Sequence, residues 1–379
     1  MESWQWFRRE FPACTHWTYL NNAAVCPLPS RSRVGMESYL DEISNNGAAR
    51  YPAAVEEPLS RLRRQGAELI HARPDQMFVV RSTTEGLAVA ATGIDVRDGD
   101  NIVLVEHEFP ANIRPWLPLR RRGVEIRFVA QHNGRVLLDD LAKAVDDRTA
   151  ALSVSFVQFL SGFRIDPGPV AELCHDHDAL FVVDGIQGLG AFPVDVTAMG
   201  IDFLSADGHK WLLGPEGVGL GYVSDRALNR ITPAIEGWLA AERPFDFFDV
   251  TQPLKQDAAR FEPGAYNLAG IRALVASLEL LLEAGPERIA ARILALTDDL
   301  AERLRGAGWR ILSPRDRAEE KSGIVLADRT DLDADSLALR LLERKVVVTA
   351  RGGAMRVSPH AYNDASDLDV LMEALGAIG

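Results

Sequence analysis

The chain predicts an α/β fold: a large domain built on a mostly parallel sheet, followed by a smaller α+β domain. Three observations carry this. Apolar runs of about five residues alternate with helical stretches from about residue 56 onward, the pattern of strands buried on both faces. After about residue 225 the alternation gives way to an irregular stretch over 230–260, with Pro233, Pro244 and Pro253. The length of 379 residues is also too great for one simple core.

Residues 56–71 read as an amphipathic helix and Gln76–Arg81 as a strand, after which Thr83 opens a helix of small residues. Ile102–Glu106 is β-rich, and a helix is expected from Ala111. Val124–Ala130, Ala150–Val157 and Leu180–Asp184 read as strands, with helices at Leu137–Val145 and after Pro169. Two long helices are expected at 266–284 and 286–306. A strand near Ser322–Leu326, a helix at 333–344, strands at Lys345–Thr349 and Met355–Ser358, and a terminal helix complete the chain. The expected division is an N-terminal segment 1–20 packing with the small domain, a large domain 21–255, and a small domain 256–379.

A formal net charge of −13 argues against a nucleic-acid partner, which requires a basic footprint. No apolar run approaches the roughly 20 residues that span a bilayer, so no membrane partner is expected. The start, Met1-Glu2-Ser3-Trp4-Gln5-Trp6, lacks a basic region followed by an apolar core. Cys14, Cys26 and Cys174 make no disulfide framework. These features predict a cytoplasmic protein.

Lysine is scarce, with only Lys143, Lys210, Lys255, Lys321 and Lys345. Lys210 lies among glycines in Ser205-Ala206-Asp207-Gly208-His209-Lys210-Trp211-Leu212-Leu213-Gly214-Pro215. Taken alone, it reads as a surface lysine in a turn. Upstream, Asp184 ends an apolar run, where open α/β sheets bind ligands, and Gln187 follows. A carboxylate at a strand end, an amide three residues later and a lysine beyond form a more specific set, although Asp184 alone would pass for a helix cap.

These segments resemble the class V aminotransferase superfamily of enzymes dependent on pyridoxal 5′-phosphate (PLP). The superfamily includes cysteine desulfurases, selenocysteine lyases, kynureninases, isopenicillin-N epimerases and several aminotransferases. The likeness runs from Tyr19-Leu20-Asn21-Asn22-Ala23-Ala24 through Arg81-Ser82-Thr83-Thr84-Glu85-Gly86 and His107-Glu108-Phe109-Pro110-Ala111-Asn112. It continues through Val183–Gly188 and His209-Lys210-Trp211 to Arg356-Val357-Ser358-Pro359-His360-Ala361-Tyr362-Asn363. It implies an aspartate-aminotransferase-like fold, a homodimer and PLP as cofactor. It further implies that Lys210 holds PLP as an imine, Asp184 pairs with the pyridine nitrogen, and Gln187 contacts the phenolic oxygen. Thr83 and Thr84 would hold the phosphate at a helix N-terminus. His209 would add a contact, Phe109 would stack on the ring, and Arg356 would bind the carboxylate of a small amino-acid substrate, with Arg351 the next candidate for that task.

Departures from the family pattern narrow the reaction. Cysteine desulfurases carry a nucleophilic cysteine on a loop before the carboxylate-binding arginine, whereas Thr349–Arg356 has no cysteine and no room for a long loop. Phe109 stands where those enzymes stack a histidine; it can stack but cannot move protons. Asp207 occupies a position where some relatives place a phosphate-binding serine, leaving Ser205 as a substitute or Asp207 as a backbone cap. Ala265 lacks the hydroxyl that reaches a neighbouring subunit's phosphate in many relatives, and Phe159 replaces a cofactor-contacting asparagine. The expected activity is a carbon–sulfur-type β-lyase, ahead of an aminotransferase and then an epimerase. The alternative from another class is a non-catalytic PLP-binding protein.

Other signals read as structural. Cys174-His175-Asp176-His177 resembles a metal cluster, but neighbours on a helix point apart. Gly217-Val218-Gly219-Leu220-Gly221 lacks dinucleotide-loop spacing and suits a closely packed strand. Arg120-Arg121-Arg122 reads as a solvated helix end. His107 and His360 are equally compatible with structural and functional roles.

Overall fold

A computed structural model describes residues 4–378, apart from the side chains of Pro52 and Ala53. Met1–Ser3, at the start of the N-terminal segment, and Gly379 lie outside the described residues. The strands are β1 (Thr18–Tyr19), β2 (Met77–Val80), β3 (Asn101–Val105), β4 (Glu125–Val129), β5 (Thr149–Ser155), β6 (Leu180–Asp184), β7 (Phe203–Asp207), β8 (Gly219–Val223), β9 (Arg310–Ile311), β10 (Val325–Asp328), β11 (Val346–Val347), β12 (Thr349–Arg351) and β13 (Ala354–Val357). The helices are α1 (Gln5–Arg8), α2 (Ser30–Asn46), α3 (Tyr51–Ile70), α4 (Thr83–Gly93), α5 (Leu138–Ala144), α6 (Pro167–Asp176), α7 (Asp225–Leu228), α8 (Leu268–Ala284), α9 (Pro286–Gly306), α10 (Ala334–Glu343) and α11 (Ala365–Ile378).

The central sheet has seven strands in the order β2-β8-β7-β6-β5-β3-β4. It is parallel except at β8, which runs antiparallel to β2 and to β7. Every residue of β3, β5, β6, β7 and β8 is buried, as expected for strands covered on both faces. The β8 glycines permit close approach: a Cβ on Gly219 would lie 2.4 Å from the Ala206 carbonyl oxygen, and one on Gly221 would lie 2.3 Å from the Phe78 ring. A four-stranded antiparallel sheet, β12-β13-β10-β9, forms with α10 and α11 a second unit around its own apolar cluster. The N-terminal segment contributes to this unit: β1 pairs in parallel with β11, and Leu20 joins its core.

The structure revises the expected elements in three places. The helix expected from Ala111 is two 3-10 turns, Pro110–Asn112 and Leu117–Arg122, because Pro115 and Pro118 remove backbone donors there. Helix α3 begins at Tyr51, with a proline in its first turn, where no N–H is needed. Helix α2 was not anticipated at all. It packs against α8 so closely that a Cβ on Gly35 would meet the Arg272 carbonyl oxygen at 2.7 Å, and the Ser32 and Ser277 hydroxyls are hydrogen-bonded at 2.7 Å.

Candidate active site

The chemistry-bearing residues meet at the edge of the large sheet formed by the carboxyl ends of its parallel strands. Strands β3 and β5 are neighbours, yet the chain runs outward to β4 on one side and to β6 and β7 on the other. Such a reversal opens a crevice in α/β sheets.

Asp184 ends β6, in register with Ser155 of β5 and Ser205 of β7. It is almost wholly buried, and its Oδ1 accepts the Ile186 N–H at 3.0 Å. Burial pushes its pKa up to about 7; the Ile186 hydrogen bond opposes this, Glu108 adds to the rise, and Lys210 opposes it. Lys210, in the turn beyond β7, is also buried, and its Nζ stands 5.5 Å from the Phe109 ring centroid. No hydrogen bond or ion pair holds this amine among the described residues. Burial lowers its pKa to about 8; Asp184 and Asp207 counter the shift, and Arg356 and Arg351 reinforce it. A buried amine without a partner, coupled to a buried carboxylate, marks a reactive pair.

Helix α4 points its N-terminus at this edge. Ser82 caps it by accepting the Glu85 N–H at 3.1 Å, which leaves the Thr83 and Thr84 N–H groups open to an anion. The Thr83 hydroxyl accepts the Asp207 N–H at 2.9 Å, and the Ser205 hydroxyl donates to the Thr83 carbonyl at 3.3 Å, directly below the helix. Asp207 caps the backbone, accepting the Gly208 N–H at 2.7 Å. Its other oxygen lies 2.9 Å from His209 Nδ1. Ala265 is exposed and lines a cavity with Arg81, Glu85 and Gly217.

The β12–β13 hairpin brings in Arg356. This guanidinium is buried, no carboxylate among the described residues pairs with it, and its Nη1 donates to the Phe159 carbonyl at 2.8 Å. Its Nε is buried without a partner. Burial, reinforced by Arg351, lowers its pKa to about 10. The hairpin closes through Gly352 and Gly353, with φ of 58° and 76°. Two positive φ values make the tight turn that glycine allows and leave no room for a cysteine-bearing loop.

Phe109 is 45% exposed, unusual for phenylalanine, and leaves a ring face open beside Lys210; Phe159 packs edge-on to it with ring centroids 5.4 Å apart. The residue before it, Glu108, was missed in the sequence. His107 adopts left-handed backbone, φ 58°, and this turn directs Glu108 inward across the crevice. Glu108 is buried and accepts the Ser155 N–H at 2.7 Å, the Ser155 hydroxyl, and Gln158 Nε2 at 2.8 Å. Burial raises its pKa. The available signal was its position just beyond the apolar run Ile102–Val105 of the wholly buried strand β3.

Gln187 donates to the Ala23 carbonyl at 3.0 Å and accepts from Trp211 Nε1 at 2.9 Å, so it braces the Lys210 turn from below. His360 is buried in a stack with Phe7, Trp211 and Tyr362, and burial drives its pKa down to about 3. It is a neutral packing residue, while His107 is exposed. His175 and His177 turn to different carboxylates, Asp202 at 3.1 Å and Asp147 at 2.8 Å. Burial raises the thiol pKa of Cys14 to about 11 and those of Cys26 and Cys174 to about 12, unsuited to nucleophilic thiolates. The cavity lined by Asp100, Arg148 and Arg230, about 760 Å³, sits at the opposite edge of the sheet; the His177–Asp147 pair lines it, but Lys210, Asp184, Thr83, Phe109 and Arg356 do not.

An unpartnered amine, a strand-end carboxylate with one oxygen uncommitted, open helix N–H groups, an exposed ring face and an unpaired buried guanidinium together fit PLP and an amino acid. Comparison with known proteins agrees. The sequence profile for class V aminotransferases matches residues 18–371. A probable cysteine desulfurase from Methanothermobacter thermautotrophicus is 28% identical over 98% of this chain and 97% of its own. Two solved structures share the fold: the apo cysteine desulfurase of Thermococcus onnurineus NA1, with TM-score 0.91, 23% identity and coverage of 100% and 98%, and the cystine C–S lyase C-DES bound to cysteine persulfide, with TM-score 0.89, 22% identity and coverage of 96% and 98%.

Proposed function

The chain belongs to the class V aminotransferase family and is a PLP-dependent enzyme, and we propose that it cleaves the Cβ–S bond of a cysteine-derived amino acid without a cysteine nucleophile of its own. The observation that carries this reading is the two-glycine hairpin beside Arg356, which holds no cysteine-bearing loop while Lys210, Asp184 and Arg356 meet at one edge of the sheet.

Bound PLP supplies an electron sink for the bond broken at Cα. Lys210 Nζ would be the attachment point and the base for the Cα proton, and burial lowers its pKa from the usual lysine value to about 8. Asp184 holds a proton on the pyridine nitrogen, and that cation offsets the burial of its charge. The N–H groups of Thr83 and Thr84, with His209, hold the phosphate, while Ser205 and Asp207 brace them. Phe109 covers the ring and Gln187 faces its phenolic oxygen. Arg356 orients the substrate through its carboxylate. The Cβ–S electron pair leaves with sulfur as a thiolate, and the three-carbon remainder, after addition of water, leaves as pyruvate and ammonia.

The site roles rest on family position and on the geometry above. The placing of residues 1–20 with the small domain is supported by the β1–β11 pairing, whereas α8, beyond residue 255, packs on α2 and α3 and shares the large domain's apolar core. A homodimer is supported by the apolar surface of Ile235, Phe245, Phe248 and Val250, which are 70%, 74%, 97% and 89% exposed. The three free cysteines are compatible with a cytoplasmic setting, and among the described residues no helix is long and apolar enough to cross a membrane.

The test is turnover by PLP-loaded protein on a panel of S-substituted cysteines and common amino acids. Equal yields of thiol, pyruvate and ammonia are expected. A substrate-derived keto acid with the cofactor left in its amine form would make it an aminotransferase, and inversion at Cα without release an epimerase.

A further inference from the structure

The β12–β13 hairpin carries a second arginine that the mechanism does not use. In its antiparallel register Thr349 pairs with Arg356 and Arg351 pairs with Ala354. Side chains alternate along a strand, so Thr349 and Arg351 share a face, and Arg356 lies on that face opposite Thr349. Arg351 and Arg356 are therefore diagonal neighbours, about 7–8 Å apart in such pairs and within reach of long side chains. Both charges are felt at Lys210.

No carboxylate is paired with either arginine among the described residues. Arg351 makes one long contact, 3.4 Å, to the carbonyl of its neighbour Ala350. The chain has an acid excess, with 54 acidic against 41 basic residues, yet none of it separates these two cations. Like charges on one sheet face repel unless an anion lies between or beyond them. Arg356 is buried, so it takes the inner anion; Arg351 is exposed at the hairpin tip, so it faces an outer one.

Resting on the reading of Arg356 as the α-carboxylate site, we propose that the substrate is an amino acid with an acidic side chain, and that Arg351 binds this second acid group at the mouth of the site. Arg351 is then a specificity residue that selects dianionic over monoanionic amino acids.

PLP-loaded protein should be titrated calorimetrically with succinate and propionate, a dicarboxylate and a monocarboxylate that lack the amine and cannot react. Native protein should bind succinate roughly two- to fivefold more tightly, the range of one partly exposed charge pair. Arg351→Ala should erase that preference, and Arg356→Ala should weaken both ligands. In turnover, Arg351→Ala should raise KM for S-carboxymethylcysteine more than for S-methylcysteine, with kcat changing less. No preference in native protein, or equal losses of both ligands with Arg351→Ala, overturns the proposal; equal losses would place Arg351 on the α-carboxylate with Arg356. If the binding preference holds but neither cysteine derivative is cleaved, the C–S lyase reading fails and the dianion site stands.

Discussion

Arg356 donates through Nη1 to the Phe159 carbonyl at 2.8 Å, tying the small sheet to the loop beyond β5. The bond fixes the guanidinium while leaving its Nε unpartnered. Arg356→Lys removes the planar fork and keeps the charge. It should cost roughly 2–4 kcal/mol in kcat/KM for amino acids, with PLP affinity near native. Amines lacking a carboxylate should be poor substrates and little changed. Equal losses for both classes would make Arg356 structural.

Borohydride reduction of the PLP-loaded enzyme, followed by peptide mapping, should place a pyridoxyl group on Lys210. Lys210 is the one lysine at this edge of the sheet; Lys143 and Lys321 are paired with Asp140 and Asp298. A label on Lys143, Lys255, Lys321 or Lys345 would remove the assignment.

Cofactor-free protein should show a stability minimum from the Asp184–Lys210 pair. Asp184 titrates near 7 against an ordinary 3.8, so between these values the folded state holds more protons and stability falls as pH rises. Lys210 titrates near 8 against 10.5, so above 8 the unfolded state holds more protons and stability climbs. The minimum lies between about 7 and 8. In urea unfolding across pH, Asp184→Asn should shrink the acid-side fall to the share that buried Glu108 contributes and keep the alkaline rise. An unchanged acid limb would mean Asp184 is ionised in the fold at low pH. With PLP restored, the same variant should bind cofactor and cleave Cα–H far more slowly.

Glu108→Ala leaves the buried Ser155 N–H and the Gln158 amide without their acceptor. Such groups cost about 1–3 kcal/mol each, so the urea midpoint should drop clearly, and Glu108→Gln, which retains an acceptor, should lose less. A midpoint equal to native for Glu108→Ala would show that water replaces the carboxylate.

Replacing Cys14, Cys26 and Cys174 together by Ala or Ser should leave turnover per folded, PLP-loaded molecule largely intact. None lies in the β12–β13 hairpin, and burial keeps all three protonated. Loss of the chemical step in that variant would restore a cysteine mechanism.

The parts of the site legible in sequence were those where local chemistry is unusual for its position. Asp184 closes an apolar run, the Thr83-Thr84 pair opens a helix, and Lys210 is one of few lysines. Glu108 escaped because a lone glutamate normally belongs to solvent; only the left-handed backbone at His107 turns it inward, and that conformation has no mark in a histidine. Helix α2 escaped for a related reason. Its sequence is polar, with Ser32 its buried residue, and it is held by backbone approach at Gly35 and a serine pair rather than by an apolar stripe. The 3-10 turns near Ala111 were hidden because the local composition suits a helix until Pro115 and Pro118 are weighed.

The Gly352–Gly353 turn also bears on how quickly the enzyme can capture its substrate. A connection of two residues has almost no slack, so β12 and β13 move with their sheet, and Arg356 is preorganised before any ligand arrives. Association then sacrifices little loop entropy and needs no slow ordering step. Stopped-flow mixing with a carboxylate ligand should accordingly show a single binding phase whose rate rises linearly with concentration, without the plateau that a closing flap imposes.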